Sequence, residues 1–524
     1  MTQIGLNRGR LNIGFVALTV AIGGFLLGFD ATVISGVVPF IRDYFDLTGT
    51  GGALKLGWAV SSLGWGAMAG NALAGVLSDR FGRRKVLICT AIAFMFSSLL
   101  AALATSFAGF VTARIIGGLA VGAAILIAPV YIAEIAPAAR RGGLVSLNQL
   151  MIVIGISASF FSNYFLLGVG EHNWRWMLGV QTLPAALYFV LLWLVPESPR
   201  WLLMKGRNDQ ALDILSRVDG MQQAQENLQQ IRQSLASKTI SRGFRGLLDP
   251  RIRFIMLIAF GLAFFQQITG INAIFYYLPT IFAQAGDGVS DAFRQAVLVG
   301  LVNVGMTIVA IRLIDRLGRK PLLTIGVAGM ALSLLTISWA FGQASYRLGE
   351  SSPAIAQSSG VPAALITDLG SFGDASYPSE TEFVAALEAK YGAERIEPHA
   401  QALVGAALTM NARLVLIAII GFVASFAISL GPVMWVLLSE IFPNEYRGAA
   451  ISVVGFWNAL VSASVTFVFP WELSTLGSAG TFLVYGIFAS LALLFVLLFI
   501  PETKGRTLEE LESDLMSGAK ATVP

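Results

Sequence analysis

The feature that most constrains this chain is a series of twelve apolar runs that recurs along its length. A run of about 20 apolar residues can cross a bilayer as an α-helix, whereas a membrane-spanning strand needs only about 10 alternating residues. Only 13% of the residues are charged, about half the proportion that is usual in soluble proteins. The sequence therefore predicts an all-α integral membrane protein. The runs are 13–38, 55–77, 86–105, 108–131, 144–167, 175–195, 253–284, 292–314, 321–341, 412–437, 448–470 and 479–500.

The start of the chain has one feature of a signal peptide, because Arg8 and Arg10 precede the first apolar run. However, no small-residue cleavage site follows at the expected place, and Asp30 would lie inside the segment. We therefore expect this run to be retained as the first membrane helix.

Positive charges concentrate in alternate loops between the apolar runs. Lys and Arg residues close to the ends of membrane helices favour the cytoplasmic side. The pattern predicts a multi-pass protein of the cytoplasmic membrane, with both termini in the cytoplasm. The basic segments are 79–85, 140–141, 197–251, 316–320, Arg447 and 504–506.

Three short motifs occur twice in the same order, which indicates an internal repeat. Each copy follows the second, fourth or sixth spanning run of its half, so we predict two pseudo-symmetric halves of six helices. The pairs are Asp79-Arg-Phe-Gly-Arg-Arg with Asp315-Arg-Leu-Gly-Arg-Lys, Glu134-Ile-Ala-Pro with Glu440-Ile-Phe-Pro, and Pro196-Glu-Ser-Pro-Arg with Pro501-Glu-Thr-Lys-Gly-Arg.

The repeat divides the chain into four predicted parts. Within the second part, 209–218 and 222–235 have the apolar spacing of short amphipathic helices. These two segments are too polar to span a membrane and too short to form an enzyme domain. The parts are an N-terminal half at 1–196, a cytoplasmic linker at 197–251, a C-terminal half at 252–503 and a cytoplasmic tail at 504–524.

The second half also contains an insertion at about 343–411, which is rich in Ser, Ala and Gly and has more acidic than basic residues. The predicted topology places this insertion on the extracellular side. Residues 380–390 have a helical pattern, and we expect the rest of the insertion to be loop. A tolerated surface insertion is favoured over a lid or a binding site for a partner.

One apolar run, 254–282, contains the amide side chains of Gln266, Gln267 and Asn272. Amides are costly in a bilayer unless they are hydrogen-bonded. On a straight helix Asn272 would point about 120° away from Gln266, so one helix cannot direct all three at one target. Gly270 lies between them, where a break would create a midplane binding site of the kind that transporters use. Amides both donate and accept hydrogen bonds, which suits a neutral polyol. The alternative is that they only hold helices together.

The repeated motifs also place acidic and basic residues at the cytoplasmic end of each half. Their spacing allows ion pairs between neighbouring helices. Pairs that form in one conformation and separate in another would act as a cytoplasmic gate. The alternative is simple positive-inside anchoring. The residues of this predicted gate are Asp79, Arg83, Glu134, Arg141, Glu197, Arg200, Asp315, Arg319, Glu440, Arg447 and Glu502.

Asp30 and Arg114 are ionisable residues inside the predicted first and fourth spans. At ~1.5 Å per residue they lie about 12 Å and about 9 Å below the outer surface, so they are able to pair. A lone charge at mid-bilayer costs ~2.5–3.5 kcal/mol on insertion scales, which favours pairing or function. If Arg114 moves away in another conformation, the carboxyl group takes up a proton, and the pair couples transport to protons. The alternative is a permanent structural pair.

Histidine and cysteine are too rare to build a metal or redox site. Cys89 is the only cysteine, and His172 and His399 fall in polar stretches outside the spans. The net charge of +4 reflects the loop bias and does not indicate nucleic-acid binding. The sequence therefore predicts no metal, no cofactor and no enzymatic activity.

Together these motifs resemble those of the sugar porters, a branch of the major facilitator superfamily, over nearly the whole chain apart from the insertion. The resemblance implies the major facilitator fold, and it implies that Asp30 and Arg114 couple sugar transport to protons. The motifs are Gly28-Phe-Asp, Arg114-Ile-Ile-Gly-Gly, Pro196-Glu-Ser-Pro-Arg-Trp-Leu, the Gln266-Gln267 run and Pro501-Glu-Thr-Lys-Gly-Arg-Thr-Leu-Glu-Glu. The implied sugar-binding residues are Gln149, Gln266, Gln267, Asn272, Asn303, Trp435 and Asn458.

The resemblance implies a monomeric carrier in the lipid bilayer that moves a monosaccharide by alternating access, in symport with protons. Two departures favour a hexose such as glucose. Ala459 follows Asn458 where a tryptophan is common, and Ile156 replaces a glutamine of some pentose-transporting relatives. The alternatives are a facilitative uniporter, a pentose (xylose-like) symporter and a sugar sensor that does not transport.

Overall fold

In the part of the chain that the computed structural model describes, the protein is almost entirely helical. The residues beyond 506, which include most of the predicted tail, lie outside that part. The described residues are 11–47, 49–137, 140–236, 246–247, 249–349, 352, 357, 361–370, 372, 375–378, 380–396, 399–443 and 445–506.

The helices of the N-terminal half follow the predicted runs closely. The sixth predicted run is divided into two helices, which are separated at Val180 and Gln181. The helices are α1 (Ile13–Tyr44), α2 (Gly49–Phe81), α3 (Arg83–Ala102), α4 (Phe107–Ile135), α5 (Arg141–Leu166), α6 (Asn173–Gly179) and α7 (Thr182–Leu192).

The linker contains the two amphipathic helices that the sequence predicts, as α9 (Asn208–Asp219) and α10 (Met221–Ala236). Apolar side chains of both helices are buried, among them Ala211, Leu215 and Leu228. A shorter helix, α8 (Pro199–Met204), precedes them. The prediction of amphipathic helices in the linker is confirmed.

The second half begins with four helices that also match predicted runs. The first two form a single span with a break between them, and a short 3₁₀ turn at Pro250–Ile252 precedes them. The helices are α11 (Arg253–Ile268), α12 (Ile271–Gln284), α13 (Val289–Leu317) and α14 (Arg319–Gly342).

The insertion is a small folded unit, so the prediction that most of it is loop was wrong. Strand β1 (Ser345–Tyr346) pairs antiparallel with β2 (Leu408–Thr409), which brings the two ends of the insertion together. Phe383, Leu387 and Leu403 are completely buried in a core of their own. These apolar residues are sparse among Ser, Ala and Gly, so no clear periodicity indicates them. The helices are α15 (Ala363–Leu369), α16 (Glu380–Tyr391), which matches the predicted helix, α17 (Ala393–Ile396) and α18 (Ala400–Ala407).

The last helices complete the second half as α19 (Ala412–Ile428), α20 (Leu430–Ile441) and α21 (Arg447–Phe499). Among the described residues, ten helical segments are long and apolar enough to cross a membrane. One of them, α21, contains two spans because Gly477 interrupts it with φ +66°. α2 is also of spanning length at 33 residues, although its Gly, Ala and Ser residues make it less apolar. All twelve predicted spans are therefore present.

Glycines allow α2 and α4 to pack closely. A Cβ on Gly70 would lie 2.2 Å from the carbonyl oxygen of Leu119, and a Cβ on Gly118 would lie 2.2 Å from that of Leu63. Small residues permit such close contact between helices in a membrane. This contact fixes α4, and with it Arg114, against the rest of the N-terminal half.

The two halves are in close contact on one side of the bundle and separate on the other. We call these the insertion side, which carries β1 and β2, and the basic-loop side, which carries Gly82 and Gly318. Towards the insertion side, a Cβ on Gly57 of α2 would lie 1.9 Å from the carbonyl oxygen of Phe467 of α21. Gly75 is on the same face of α2, about five turns further on, and has open space around it. The interface between α2 and α21 is therefore open towards the basic-loop side.

Candidate functional site

The span formed by α11 and α12 is broken at Gly270. Its φ of +85° is a left-handed conformation that residues with a Cβ rarely adopt. The break that the sequence predicts at this glycine is confirmed. A second irregularity follows at Tyr277, with φ −118° and ψ 15°, just before Pro279.

The break brings the amides on both sides of it together with one amide from α21. Gln266 Oε1 accepts hydrogen bonds from Asn458 Nδ2 at 2.8 Å and from Gln267 Nε2 at 3.1 Å. Gln267 Nε2 also donates to Asn458 Oδ1 at 3.1 Å, and Asn272 Nδ2 donates to Gln267 Oε1 at 2.9 Å. These four side chains, which we call the amide cluster, form one hydrogen-bonded network.

Two further hydrogen bonds hold the amide cluster in place. Gln266 Nε2 donates to the carbonyl oxygen of Leu430 at 2.7 Å, and Asn272 Nδ2 donates to Ser462 Oγ at 2.7 Å. Leu430 begins α20 directly after Ser429, whose φ of −124° and ψ of −99° separate α19 from α20. The sequence reasoning missed this break and Ser462. The Gly-Pro pair at 431–432 is the signal that would have indicated the break.

The other predicted sugar-binding residues lie on neighbouring helices but outside the hydrogen-bonded network. Gln149 is half-buried on α5, and Asn303 is buried on α13, a helix that packs against α5. Within the described residues neither is hydrogen-bonded to the amide cluster. Trp435 of α20 is 39% exposed, and its ring lies 3.8 Å from the position of a Cβ on Gly455, about one turn before Asn458. Trp435 thus lies near the amide cluster with part of its ring accessible.

Asp30 and Arg114 form a buried ion pair, as their predicted depths indicated. Arg114 Nη1 lies 2.7 Å from Asp30 Oδ1, and the side chains are 1% and 5% exposed for Arg114 and Asp30. Among the described residues, Asp30 Oδ2 and the Nε and Nη2 atoms of Arg114 have no hydrogen-bond partner. A Cβ on Gly117 would lie 2.8 Å from Asp30 Oδ2, so this glycine makes room for the carboxylate. The pair is therefore held by one nitrogen and leaves polar atoms for other partners.

Gln181 and Tyr276 are two residues near this ion pair that the sequence reasoning missed. Gln181, between α6 and α7, is almost completely buried beside the Asp30 carboxylate, yet its Nε2 makes no hydrogen bond of ordinary length within the described residues. Tyr276 lies on α12, which packs against α1, the helix that carries Asp30, and it is within electrostatic range of both charges. An amide inside the apolar run 175–195 is the signal that would have found Gln181. The ion pair of the N-terminal half therefore lies near the broken helix of the other half.

On the basic-loop side, the first copy of the repeated motif forms a compact charged cluster. Arg83 makes a bidentate contact with Glu134, with Nε–Oε2 and Nη2–Oε1 distances of 3.0 Å, and its Nη1 lies 3.0 Å from Asp79 Oδ1. Ser198 Oγ donates to Glu134 Oε2 at 2.5 Å. Glu197 accepts from the backbone nitrogens of Arg83 and Arg84 and so caps the start of α3.

The second copy reproduces this geometry. Arg319 contacts Glu440 at 2.7 Å through Nη2 and at 3.2 Å through Nε, and Thr503 Oγ1 donates to Glu440 Oε2 at 2.6 Å. Glu502 accepts from the backbone nitrogens of Arg319 and Lys320. The capping carboxylate, the bidentate pair and the hydroxyl donor therefore occur in both halves.

The remaining residues of the predicted gate are arranged differently. Arg447 donates to the carbonyl oxygen of Phe442. Arg141 and Arg200 are exposed, and the side chain of Asp315 lies outside the described part of the structure. The pairs Arg83–Glu134 and Arg319–Glu440 each connect helices of the same half. In this open arrangement they stabilise the basic-loop end of each half, and their role as a gate stays a prediction.

A two-halved bundle of twelve spans, with an amide cluster at a broken helix, defines a membrane transporter of the major facilitator fold rather than an enzyme. The model of the family described as Sugar (and other) transporter matches residues 16–365 and 399–515. This chain belongs to that family, and the resemblance seen in its motifs is confirmed. The unmatched stretch falls within the insertion.

Several known sugar transporters are similar to this chain over almost the full length of both proteins. This chain is 34% identical over 512 residues to the arabinose-proton symporter of Bacillus subtilis. The match covers 96% of this chain and 95% of that protein. The chain is 33% identical to the glucose transport protein of Synechocystis sp., with coverage of 96% and 98%. A structure of the xylose transporter XylE from E. coli in a partially occluded inward open conformation is similar at a TM-score of 0.73 and 32% identity, with coverage of 94% and 99%.

Proposed function

We propose that this protein carries a monosaccharide across the cytoplasmic membrane by alternating access, in symport with protons. The main support for this proposal is the amide cluster. Its four side chains offer hydrogen-bond donors and acceptors and carry no net charge. They are hydrogen-bonded to one another, and they are able to exchange these bonds for hydrogen bonds to a neutral polyol. A sugar hydroxyl both donates and accepts, so it is able to replace one amide of a pair without leaving a buried group unpaired.

The relatives support a monosaccharide as substrate, because their names include arabinose, xylose and glucose. We favour a hexose on the grounds of the chain's own residues. Ile156 is an apolar, half-buried residue of α5 at a position where a second amide would favour a pentose. Trp457 packs against Phe264 with stacked rings 6.5 Å apart, so this tryptophan supports the helix interface beside Asn458.

Proton coupling is supported by the single-nitrogen contact between Asp30 and Arg114. A buried carboxylate stays ionised only while a cation faces it. When Arg114 moves away, the carboxyl group of Asp30 takes up a proton. The nearby Tyr276 belongs to the broken helix, so sugar binding there is able to influence the separation of the pair.

We infer that the basic-loop side faces the cytoplasm, together with both termini and the linker at 197–251. On this assignment the structure is the inward-facing conformation, since the interface between the halves is open on that side. The N-terminal half is then 1–196, the C-terminal half is 252–503 and the insertion is extracellular. The protein acts as a monomer, because each chain contains a complete pair of halves.

The test is uptake by the purified protein in liposomes, with a panel of labelled hexoses and pentoses offered with and without an inward proton gradient. We expect saturable counterflow of at least one monosaccharide, and gradient-driven accumulation that Asp30→Asn abolishes while counterflow persists. Asp46→Asn, at a carboxylate beyond the outer end of α1, is the control that leaves both intact. No saturable counterflow of any sugar would overturn the proposal. Equilibration that ignores the gradient would make the protein a uniporter.

A further inference from the structure

Tyr485 of α21 lies directly against the break in the sugar-binding span. A Cβ on Gly270 would lie 2.7 Å from Tyr485 Cδ2 and 2.8 Å from its Cε2. The Tyr485 side chain is almost completely buried. Its ring therefore occupies the space into which the backbone at Gly270 would otherwise move.

The hydroxyl group of Tyr485 is fixed by a carboxylate on the other arm of the same helix. Tyr485 Oη donates to Glu472 Oε2 at 2.7 Å. Gly477 interrupts α21 between these two residues, so the hydrogen bond connects the spans on either side of that interruption. A hydrogen bond to a charged group is stronger than one between neutral groups. Glu472 thus determines where the Tyr485 ring stands.

α12 contacts both spans of α21 at several points between its first and last residues. The Tyr485 ring stacks on that of Phe469, with ring centroids 6.1 Å apart and an angle of 11° between the ring planes. The ring centroids of Phe469 and Tyr277 are 5.0 Å apart. At the end of α12, Gln284 Oε1 accepts from Ser478 Oγ at 3.1 Å. Both irregular positions of the span, Gly270 and Tyr277, are therefore supported by the same aromatic group.

The opposite face of α12 closes the insertion side against the N-terminal half. Phe275 packs against Phe160 of α5 with ring centroids 6.2 Å apart, and both side chains are buried. Opening of this side requires α12 to move away from α5. Since α12 is joined to α11 through Gly270, such a movement has to turn the backbone at the place where Tyr485 stands.

We propose that Tyr485, anchored by Glu472, is a positioning residue that holds α12 in the orientation that closes the insertion side. The inference rests on the proposed alternating-access function and adds a specific regulator of its conformational equilibrium. Loss of the hydrogen bond to Glu472 frees the Tyr485 ring. α12 then moves away from Phe160 of α5 more often. The population open to the insertion side increases, although no residue of the amide cluster has changed.

The test measures how accessible a buried cysteine is from outside the cell. Ala463 of α21 is buried and faces Gly64 of α2 across the closed interface. Ala463→Cys in a Cys89→Ser background is labelled in intact cells with a membrane-impermeant maleimide, in the absence of sugar. We expect Tyr485→Phe and Glu472→Ala each to accelerate labelling by roughly threefold or more, because each removes the same hydrogen bond. Glu472→Gln keeps an acceptor, so its labelling rate should stay closer to that of the parent.

The matched control is Tyr188→Phe, which removes a buried tyrosine hydroxyl that has no hydrogen-bond partner among the described residues. It should label at the parent rate. If Tyr485→Phe and Glu472→Ala also label at the parent rate while they elute as folded protein in detergent, the inference is overturned. Labelling is measured without sugar, so its outcome does not depend on counterflow. Absence of counterflow in the parent protein would instead overturn the proposed function. Acceleration by both variants but not by Tyr188→Phe supports the inference.

Discussion

At the scale of single residues, Gln267 is the most connected member of the amide cluster. It hydrogen-bonds to Gln266, Asn458 and Asn272. We expect Gln267→Ala to raise the apparent KM for sugar counterflow by about tenfold, with a smaller change in maximal rate. The reason is that one or two hydrogen bonds to the sugar are lost, at about 0.5–1.5 kcal/mol each, and about 1.4 kcal/mol corresponds to a factor of ten.

The control for this variant is Gln343→Ala, which removes an exposed amide at the end of α14. It should leave the concentration dependence of counterflow unchanged. An unaltered KM in Gln267→Ala would show that the amide cluster only holds helices together, which is the alternative that the sequence leaves open.

A residue of the site can be predicted from the sequence when it is a polar residue of a kind that is rare in an apolar span. Gln266, Gln267 and Asn272 stand out because amides are costly in an apolar span. Ser462 gives no such signal, since serine is common in membrane helices and often bonds only to its own backbone. Its contact with Asn272 depends on the distance between α12 and α21, which only the fold determines.

At the scale of structural elements, the two copies of the charged motif have the same geometry but different exposure. The side chains of Arg83 and Glu134 are both 8% exposed, whereas those of Arg319 and Glu440 are 13% and 22% exposed. Removal of one partner from a buried pair costs about 3–5 kcal/mol, because it leaves an uncompensated charge. We expect Arg83→Ala to lower the thermal unfolding temperature in detergent more than Arg319→Ala does.

Arg312→Ala serves as the control for both variants, because it removes an exposed arginine from α13 without breaking a described ion pair. Its unfolding temperature should equal that of the parent. Equal losses in Arg83→Ala and Arg319→Ala would mean that burial of the pair does not determine its contribution.

Breaks within helices are only partly predictable from sequence. The break at Gly270 is indicated because a glycine lies among polar residues that a straight helix cannot direct to one place. Gly477 is indicated for a different reason, because it lies between two predicted spans, 448–470 and 479–500. Ser429 itself gives no such signal, and only the Gly-Pro pair that follows at 431–432 indicates the break there. The hydrogen bond from Gln266 to the carbonyl oxygen of Leu430 beside this break is visible only in the structure.

At the scale of the whole molecule, the repeated motifs predict two halves but not the side on which they separate. Both conformations of an alternating-access carrier are formed by one sequence, and they differ in free energy by only a few kcal/mol. Gly57 and Gly75 lie on one face of α2, yet only Gly57 has a close neighbour on α21. Composition and periodicity are the same for either state, so the open side is visible only in the structure.

The insertion is a folded unit whose ends meet, which predicts that the carrier works without it. Tyr346 pairs with Leu408, and Arg347 N donates to the carbonyl oxygen of Ala407 at 2.7 Å, so the strands already approach one another at this point. Replacement of 347–407 by Asn-Gly should form a hairpin turn and leave the flanking helices α14 and α19 in place. We expect sugar counterflow within about twofold of the parent, because loop length has a weak effect on stability. The matched control replaces the same residues by a flexible Gly-Ser segment of equal length. Loss of counterflow in both variants, with normal elution in detergent, would instead identify the insertion as a part of the transport cycle.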